Sequence, residues 1–404
     1  GMRETFPQLR CIGASEVNPH ARCAFKRRHG FEPFKAHEVV PHSIYKQCWA
    51  VTSGAPCVSF SGMGLGLGLD DPRGQYYITQ LDEFTSARVP VIILEQVTDV
   101  QRIKARDKTS QRDQESPQQK VLTKLEKAGY VVPKSEGALG IEVNAASYGS
   151  AVDRTRLITI AVRRDLWKLK SEQFEWPEQR PDPSRTVETV FREERSEYVA
   201  GSYVKEGFQR QRRRTLHGAH KLWTRKRERG AMKGEPWAPT ACYSAKGKAP
   251  SPTARGNSQW FETEDADGCV KWRRLSGNEM LDMQGVQTHL TDGMSEGEKY
   301  NLAGNALPME MAQAIGEAVS TLWDPEWFQR DLEQRRRADK RIPAQYRERQ
   351  SRHPGIRQHI DGSLSMSRGA ERRGSTMEGV EEASQMCDKR LKHCSRSHTE
   401  TVME

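Results

Sequence analysis

The chain has 404 residues, a net charge of +10 and only 35% hydrophobic residues, so it has room for one large or two medium domains, with part of its length outside any packed core. No apolar run approaches the roughly 18 residues of a membrane helix, and the N-terminus lacks a charged-then-apolar export signal. The excess of positive charge favours a polyanionic partner through phosphate neutralisation and counterion release.

From Leu9 to Arg164 short apolar strands alternate with amphipathic helical stretches, which predicts βαβ units and an α/β fold with a doubly wound, mostly parallel sheet. "ASEVNPHARCAFKRRHG", Ala14 to Gly30, reads as strand, acid, helix, and "CWAVTSG", Cys48 to Gly54, as a buried strand. In "QYYITQLDEFTSAR" the apolar residues Tyr77, Ile78, Leu81 and Phe84 recur at helical spacing. Two more strands follow, "VPVIILEQV" at Val89 to Val97 and "RLITIAVR" at Arg156 to Arg163.

Composition then changes. Residues 165–250 are charged and proline-containing and include the basic block Arg210 to Arg229. Ordered patterning returns over 251–325, where a helix follows Pro308, a residue suited to the start of a first turn. Residues 326–404 are rich in Arg, Gln, Ser and Glu and read as a basic, disordered tail with one helix near Phe328 to Arg337. Core, variable basic region, return to the core and tail are thus the expected organisation, with 1–164 as the first core segment.

Eight cysteines without a CxxC pair indicate free thiols and an intracellular protein, with no structural zinc site. One of them raises a chemical question. In "SGAPCVSFSGMGLGLGLDDPRG", Ser53 to Gly74, Cys57 follows a proline and four glycines then alternate. At the carboxyl end of a parallel strand a thiolate is well placed to be a nucleophile, although a small buried thiol is the common alternative. A phosphate cradle fits poorly, since Gly62, Gly64, Gly66 and Gly68 match neither GxGxxG nor a glycine turn followed by lysine. A mobile glycine-rich loop behind a nucleophile suits a lid over a bulky substrate.

Six segments, taken together and in order, resemble the cytosine-5 DNA methyltransferase family. The Pro-Cys stretch ending in Asp-x-Arg-Gly is similar to the family's nucleophile loop, "LEQV" at Leu94 to Val97 to its Glu-Asn-Val motif, and "YGSAVDRTRL" at Tyr148 to Leu157 to its Gln-x-Arg-x-Arg motif. "RRLSGNEMLDMQGV" at Arg273 to Val286 resembles its Arg-x-Leu-Thr-x-x-Glu helix, and "AGNALP" at Ala303 to Pro308 its Gly-Asn-Ala motif. The Ala14 to Gly30 stretch is similar to the strand, acid and helix that hold the cofactor ribose.

The resemblance implies a Rossmann-like methyltransferase fold and S-adenosyl-L-methionine as cofactor. It implies that Cys57 adds to carbon 6 of a flipped-out cytosine, that Glu95 acts at N3, and that Arg156 and Arg154 stabilise the intermediate and the adjoining phosphate. Glu16 would accept the ribose hydroxyls, with Val17, Glu38, Pro56 and Asn305 bordering the cofactor. The segment 165–250 falls where the family recognises its target, so His217, Trp223 and the arginines are candidates to clamp double-stranded DNA. A monomer on DNA is expected, without membrane or metal, and in a eukaryote "RRRADK" at Arg335 to Lys340 would serve as a nuclear signal.

Three departures accompany the resemblance. The family's Phe-x-Gly-x-Gly first motif is not found, which implies a chain truncated before or within it. Gln96 stands where the family has asparagine and Val152 where it has glutamine. The segment expected to recognise the target is short and irregular. Two alternatives stay open: a catalytically impaired nucleic-acid-binding relative, and a tRNA cytosine-5 methyltransferase, whose Cys-Phe-Thr stretch is not found here.

Overall fold

Val91 to Leu94, an unbroken run of buried aliphatics, form the centre of the molecule. They lie in β2 (Val91–Gln96), which pairs in parallel with β1 (Ala50–Gly54) and antiparallel with β6 (Thr155–Arg163). β6 also pairs antiparallel with β3 (Tyr130–Val131) and β4 (Ile141–Asn144). The computed structural model describes all residues except 62–66, 103–114, 134–138, 192–198, 201–207, 215–219, 226–240, 253–258, 265–269 and 341–404. The mostly parallel sheet expected from the βαβ pattern appears in strand direction, since β1 to β4 run one way and β6 alone runs against them. The pairings through β6 are antiparallel because only a 3-10 turn (Ala145–Tyr148) and the two-residue β5 (Val152–Asp153) separate β4 from β6, too short for a helical crossover.

Strand alternation gives the sheet two apolar faces. Ile92, Leu94, Leu157 and Ala161 pack under α4 (Pro72–Ser86) and α5 (Pro117–Lys127), with Tyr77, Leu81, Phe84, Val121 and Leu125 as their partners. Val91, Ile93, Ile158, Ile160 and Val162 face the other way, into a cluster with Met311, Ala314, Ile315 and Ala318 of α9 (Met309–Ser320). Helices on both faces make this the expected doubly wound layering. The N-terminal α1 (Met2–Thr5) lies close on α9, and a Cβ added to Gly316 would sit 2.7 Å from Met2 O. Phe6, Trp49 and Trp323 meet edge to face at 5.2 to 5.9 Å and close that layer.

The strand, acid and helix stretch is reduced to one parallel bridge, Ser15 to Phe34, followed by α2 (Pro19–His29). Asn18 caps α2 by accepting from the His20 and Ala21 N–H groups, and Gly30 ends it at φ 79°. A short α3 (His42–Tyr45) then leads to β1.

After α6 (Arg164–Lys170) the chain builds a second sheet. Its order is β7 (Val199–Ala200), β13 (Val270–Arg273), β12 (Gln259–Glu264), β10 (Ala241–Ser244), β9 (His220–Arg225) and β8 (Phe208–Arg214). The region read as short and irregular therefore contributes four of the sheet's six strands, and the sheet crosses residue 250 because β12 and β13 pair back onto β10 and β7. A two-residue β11 (Ala249–Pro250) stitches it to β5 in parallel.

Three helices complete the return to the core: α7 (Gly277–Met283), α8 (Glu296–Asn305) and α9. The residues read as the start of the disordered tail form α10 (Pro325–Lys340), which includes the helix expected near Phe328. It is held by Trp327 and Phe328 against the core and by Asp331, 5% exposed, between Arg163 and Arg335. Residues 341–404 of the tail lie outside the described residues.

Candidate active site

β1 and β2 end side by side, and their register pairs Gly54 with Glu95. Open α/β sheets bind ligands at this carboxyl edge. A Cβ on Gly54 would lie 3.3 Å from Glu95 Oε2, so glycine here lets the two strand ends approach. Beyond Gly54 comes Pro56, exposed, and then Cys57, half-buried at the start of a 3-10 turn (Cys57–Ser59). Two anchors set that turn. Phe60, fully buried, packs edge to face on Tyr77 at 5.7 Å, and the Phe60 and Ser61 N–H groups donate to Cys57 O at 2.9 Å.

The second anchor is Gln96, also fully buried. Its Nε2 donates to Ala55 O at 3.2 Å while its Oε1 accepts from the Val97 N–H at 2.9 Å. One amide thus ties the end of β2 to the segment that carries Cys57. In the sequence Gln96 stands out only as a departure from asparagine, and its partner 41 residues away is invisible there. Residues 62–66 of the expected lid lie outside the described residues. The loop's far end is described: Asp71 caps α4 and pairs with Arg73 at 2.6 Å, and the Arg73 hydrogen bonds hold the Asp71 carboxyl down at about 2.

Of the two arginines, the structure joins only Arg156 to Glu95. Arg156 Nε lies 2.8 Å from Glu95 Oε1, with side chains 12% and 26% exposed. Arg156 Nη1 also donates to Thr155 O at 2.7 Å, which fixes the guanidinium. Arg154, expected beside it, bonds instead to Ser251, Pro252 and Gly304. Arg154 lies in the break between β5 and β6, ahead of the strand that carries Arg156, and burial, reinforced by the nearby Arg156 charge, pulls the Arg154 guanidinium down to about 10.

A second group of expected residues gathers around α2 and α8. Glu16 Oε1 accepts from the Asn18 N–H at 2.8 Å, and Asn18 Nδ2 donates to Asn301 Oδ1 at 2.8 Å. The same Asn301 oxygen accepts from Asn305 Nδ2 at 3.4 Å. Glu16 and Asn305, 289 positions apart in sequence, are therefore linked through Asn18, by its backbone N–H and its side chain, and the Asn301 side chain. Val17 beside Glu16 is 73% exposed and Val39 is 44% exposed, both apolar surfaces next to polar groups. Glu38 has its backbone in the turn His37–Val39, and its side chain lies outside the described residues. Asn18, Asn301 and Val39 were not singled out in the sequence; Asn18 alone carried a signal, as a helix cap ahead of proline.

The Arg-x-Leu helix explains its own residue pattern. Ser276 and Glu279 form a reciprocal capping box on α7, and Glu279 Oε1 meets Arg273 Nη2 at 2.7 Å in a pair only 3% and 1% exposed. In the basic block, register sets Arg210 opposite Trp223 and Arg213 opposite Lys221 across β8 and β9, while His217 lies outside the described residues. Among the described residues no three His, Cys, Asp or Glu side chains gather as a metal set, and no helix is long and apolar enough to cross a membrane.

Comparison with known proteins agrees with this layout. The chain is similar to the type II methyltransferase M.FnuDI of Fusobacterium nucleatum, 23% identical over 313 residues that span 70% of this chain and 80% of that protein. It is also similar to M.NlaX of Neisseria lactamica, 27% identical over 139 residues, 33% of this chain and 40% of that protein. In fold it resembles the methyltransferase EhMeth of Entamoeba histolytica, with a TM-score of 0.54 at 13% identity over 80% of this chain and 95% of that one. The S. pombe Dnmt2 methyltransferase gives 0.53 at 13% identity over 80% and 94%. The family description of C-5 cytosine-specific DNA methylases matches residues 1–321, and the chain belongs to that family.

Proposed function

We propose that this chain is a DNA (cytosine-5)-methyltransferase that uses Cys57 as a covalent nucleophile and S-adenosyl-L-methionine as methyl donor. The observation that carries this reading is the register of Gly54 with Glu95, which brings the Cys57 turn and the Glu95–Arg156 pair to one edge of the sheet.

Carbon 5 of cytosine is a weak nucleophile within an aromatic ring. Addition of the Cys57 thiolate to carbon 6 forms a C–S bond and moves the ring electron pair toward carbon 5, with charge developing toward N3. Glu95 meets that charge at N3 by donating a proton or a hydrogen bond. Arg156 holds the Glu95 carboxyl in one orientation and adds positive charge beside the intermediate. Once carbon 5 carries the methyl group, release of its proton to solvent water, return of the N3 proton to Glu95 and breaking of the C–S bond with expulsion of the Cys57 thiolate restore the ring and the enzyme. The target carbon is inaccessible in a stacked duplex, so the cytosine enters the site flipped out.

S-adenosyl-L-methionine would supply the electrophilic methyl group. The described residues suit its adenosine half: Glu16 would offer carboxylate oxygens to ribose hydroxyls, exposed Val17 beside it would offer apolar surface to the adenine ring, and Asn305 joins Glu16 through Asn301 and Asn18, with Pro56 assigned to the same pocket by the family resemblance. The basic strands β8 and β9 and the net charge of +10 support double-stranded DNA as the partner.

The test is incubation with labelled S-adenosylmethionine and a duplex containing 5-fluorocytosine, with a tRNA bearing the same base as a parallel arm. Substitution of fluorine for the carbon 5 proton traps the adduct. A labelled covalent complex with the duplex, lost in Cys57→Ala, is the expected result. Absence of adduct with either substrate overturns the catalytic reading, and adduct with the tRNA alone overturns the choice of DNA.

A further inference from the structure

Arg154 is one of the least exposed charged side chains in the molecule, at 4%. Its Nη1 donates to Ser251 Oγ at 2.9 Å and to Pro252 O at 3.5 Å, and its Nη2 donates to Gly304 O at 3.0 Å. Nε is buried without a hydrogen-bond partner. These contacts join parts of the chain 97 and 150 positions from Arg154.

Each contact has a structural address. Ser251 follows β11, which pairs with β5 immediately before Arg154, and the same stretch leads into β12 of the six-stranded sheet. Gly304 sits in the last turn of α8, where carbonyls lack partners within the helix and carry the negative end of its dipole. A buried cation is the matching cap there. The next residue, Asn305, connects through Asn301 and Asn18 to Glu16.

We infer that Arg154 is a positioning residue that couples the hydrogen-bonded chain from Glu16 to Asn305 to the six-stranded sheet, so that a ligand held by that chain orders the sheet's attachment to the core. The planar guanidinium fork serves both sides at once. A displacement of Gly304 must therefore carry Ser251 with it or leave a buried charge without partners, and the second course is strongly unfavourable. Such coupling is reciprocal: whatever orders the sheet tightens ligand binding at Glu16 and Asn305 by the same factor. The inference rests on the reading of Glu16, Val17 and Asn305 as the cofactor side.

The experiment follows amide hydrogen exchange of the full chain with and without S-adenosylhomocysteine. Added ligand should slow exchange at residues 14–18 and, in the wild type, also at Ala249, Ser251 and 259–262. Ser251→Ala, which removes a hydroxyl and leaves the charge in place, should keep the effect at 14–18 and reduce that at Ala249 and 259–262 at least threefold. Arg154→Lys, whose single ammonium cannot span both carbonyl and hydroxyl, should do the same. A second readout is ligand affinity with and without duplex DNA. The duplex should tighten binding about fivefold or more in the wild type, the lower end of typical coupling, and leave it unchanged in Ser251→Ala.

Protection at 14–18 without any at Ala249, Ser251 and 259–262 in the wild type overturns the coupling and leaves the cofactor reading intact. Wild-type behaviour of both variants overturns it as well. If no amide responds, the cofactor reading fails and the coupling falls with it.

Discussion

Replacing Glu279 separates two roles that one side chain combines. Its Oε1 meets Arg273 Nη2 at 2.7 Å, its Oε2 accepts from the Ser276 N–H at 2.8 Å, and its own N–H donates to Ser276 Oγ at 3.2 Å. Arg273 lies 4.1 Å from the Phe191 ring centroid, so its charge has little access to water. Glu279→Gln keeps a carbonyl oxygen for the capping box and removes the charge opposite Arg273. Taking one member from a buried pair costs about 3 to 5 kcal/mol, and we place Glu279→Gln at about 3 kcal/mol because its amide still accepts a hydrogen bond. Glu279→Ala loses the cap too, which adds about 1 kcal/mol. Arg273→Met in the Glu279→Gln background should recover most of the loss, since an apolar group of similar volume needs no partner. Urea unfolding followed by circular dichroism and tryptophan fluorescence measures these differences from midpoint and slope. The reasoning is refuted if Glu279→Gln stays within about 1 kcal/mol of wild type at unchanged slope, or if Gln and Ala cost the same.

Asp331→Asn should leave Arg163 and Arg335, now 2.5 Å and 2.9 Å from its carboxylate, facing each other inside the protein. We expect a loss of about 3 kcal/mol and faster proteolysis within α10; cleavage at the wild-type rate would show that this cluster does not hold the helix. Acid unfolding tests Asp71. Its carboxyl is held below the ordinary range, to about 2, so it contributes stability that is present above about pH 4 and lost as pH falls toward 2. Asp71→Asn should therefore show a smaller drop in melting temperature between pH 5 and pH 2.5 than wild type, and an equal drop would rule this contribution out.

Much of the local structure was legible before any coordinates. The strand ending at Gly54, the strand within Val89 to Val97, the helical stretch carrying Tyr77, Leu81 and Phe84 and the helix after Pro308 follow from periodicity and from local start signals. These features depend on contacts within a few positions of each other, which is where sequence patterns speak. Cys57, Glu95 and Arg156 were legible for another reason, as residue types at family spacing, and their meeting at one edge awaited the pairing of β1 with β2.

What the amino-acid order determined alone was therefore the set of elements and the chemistry available on them. Tertiary structure decided which partners those groups would have. Arg154 and Arg156 are two positions apart and nearly identical in the sequence, yet one pairs with Glu95 and the other with Ser251 and Gly304. The hold of Gln96 on Ala55 and the docking of α10 through Asp331 are of the same kind. Each is a demand that a buried polar group be satisfied, met by whichever distant residue the packed core brings within about 3 Å.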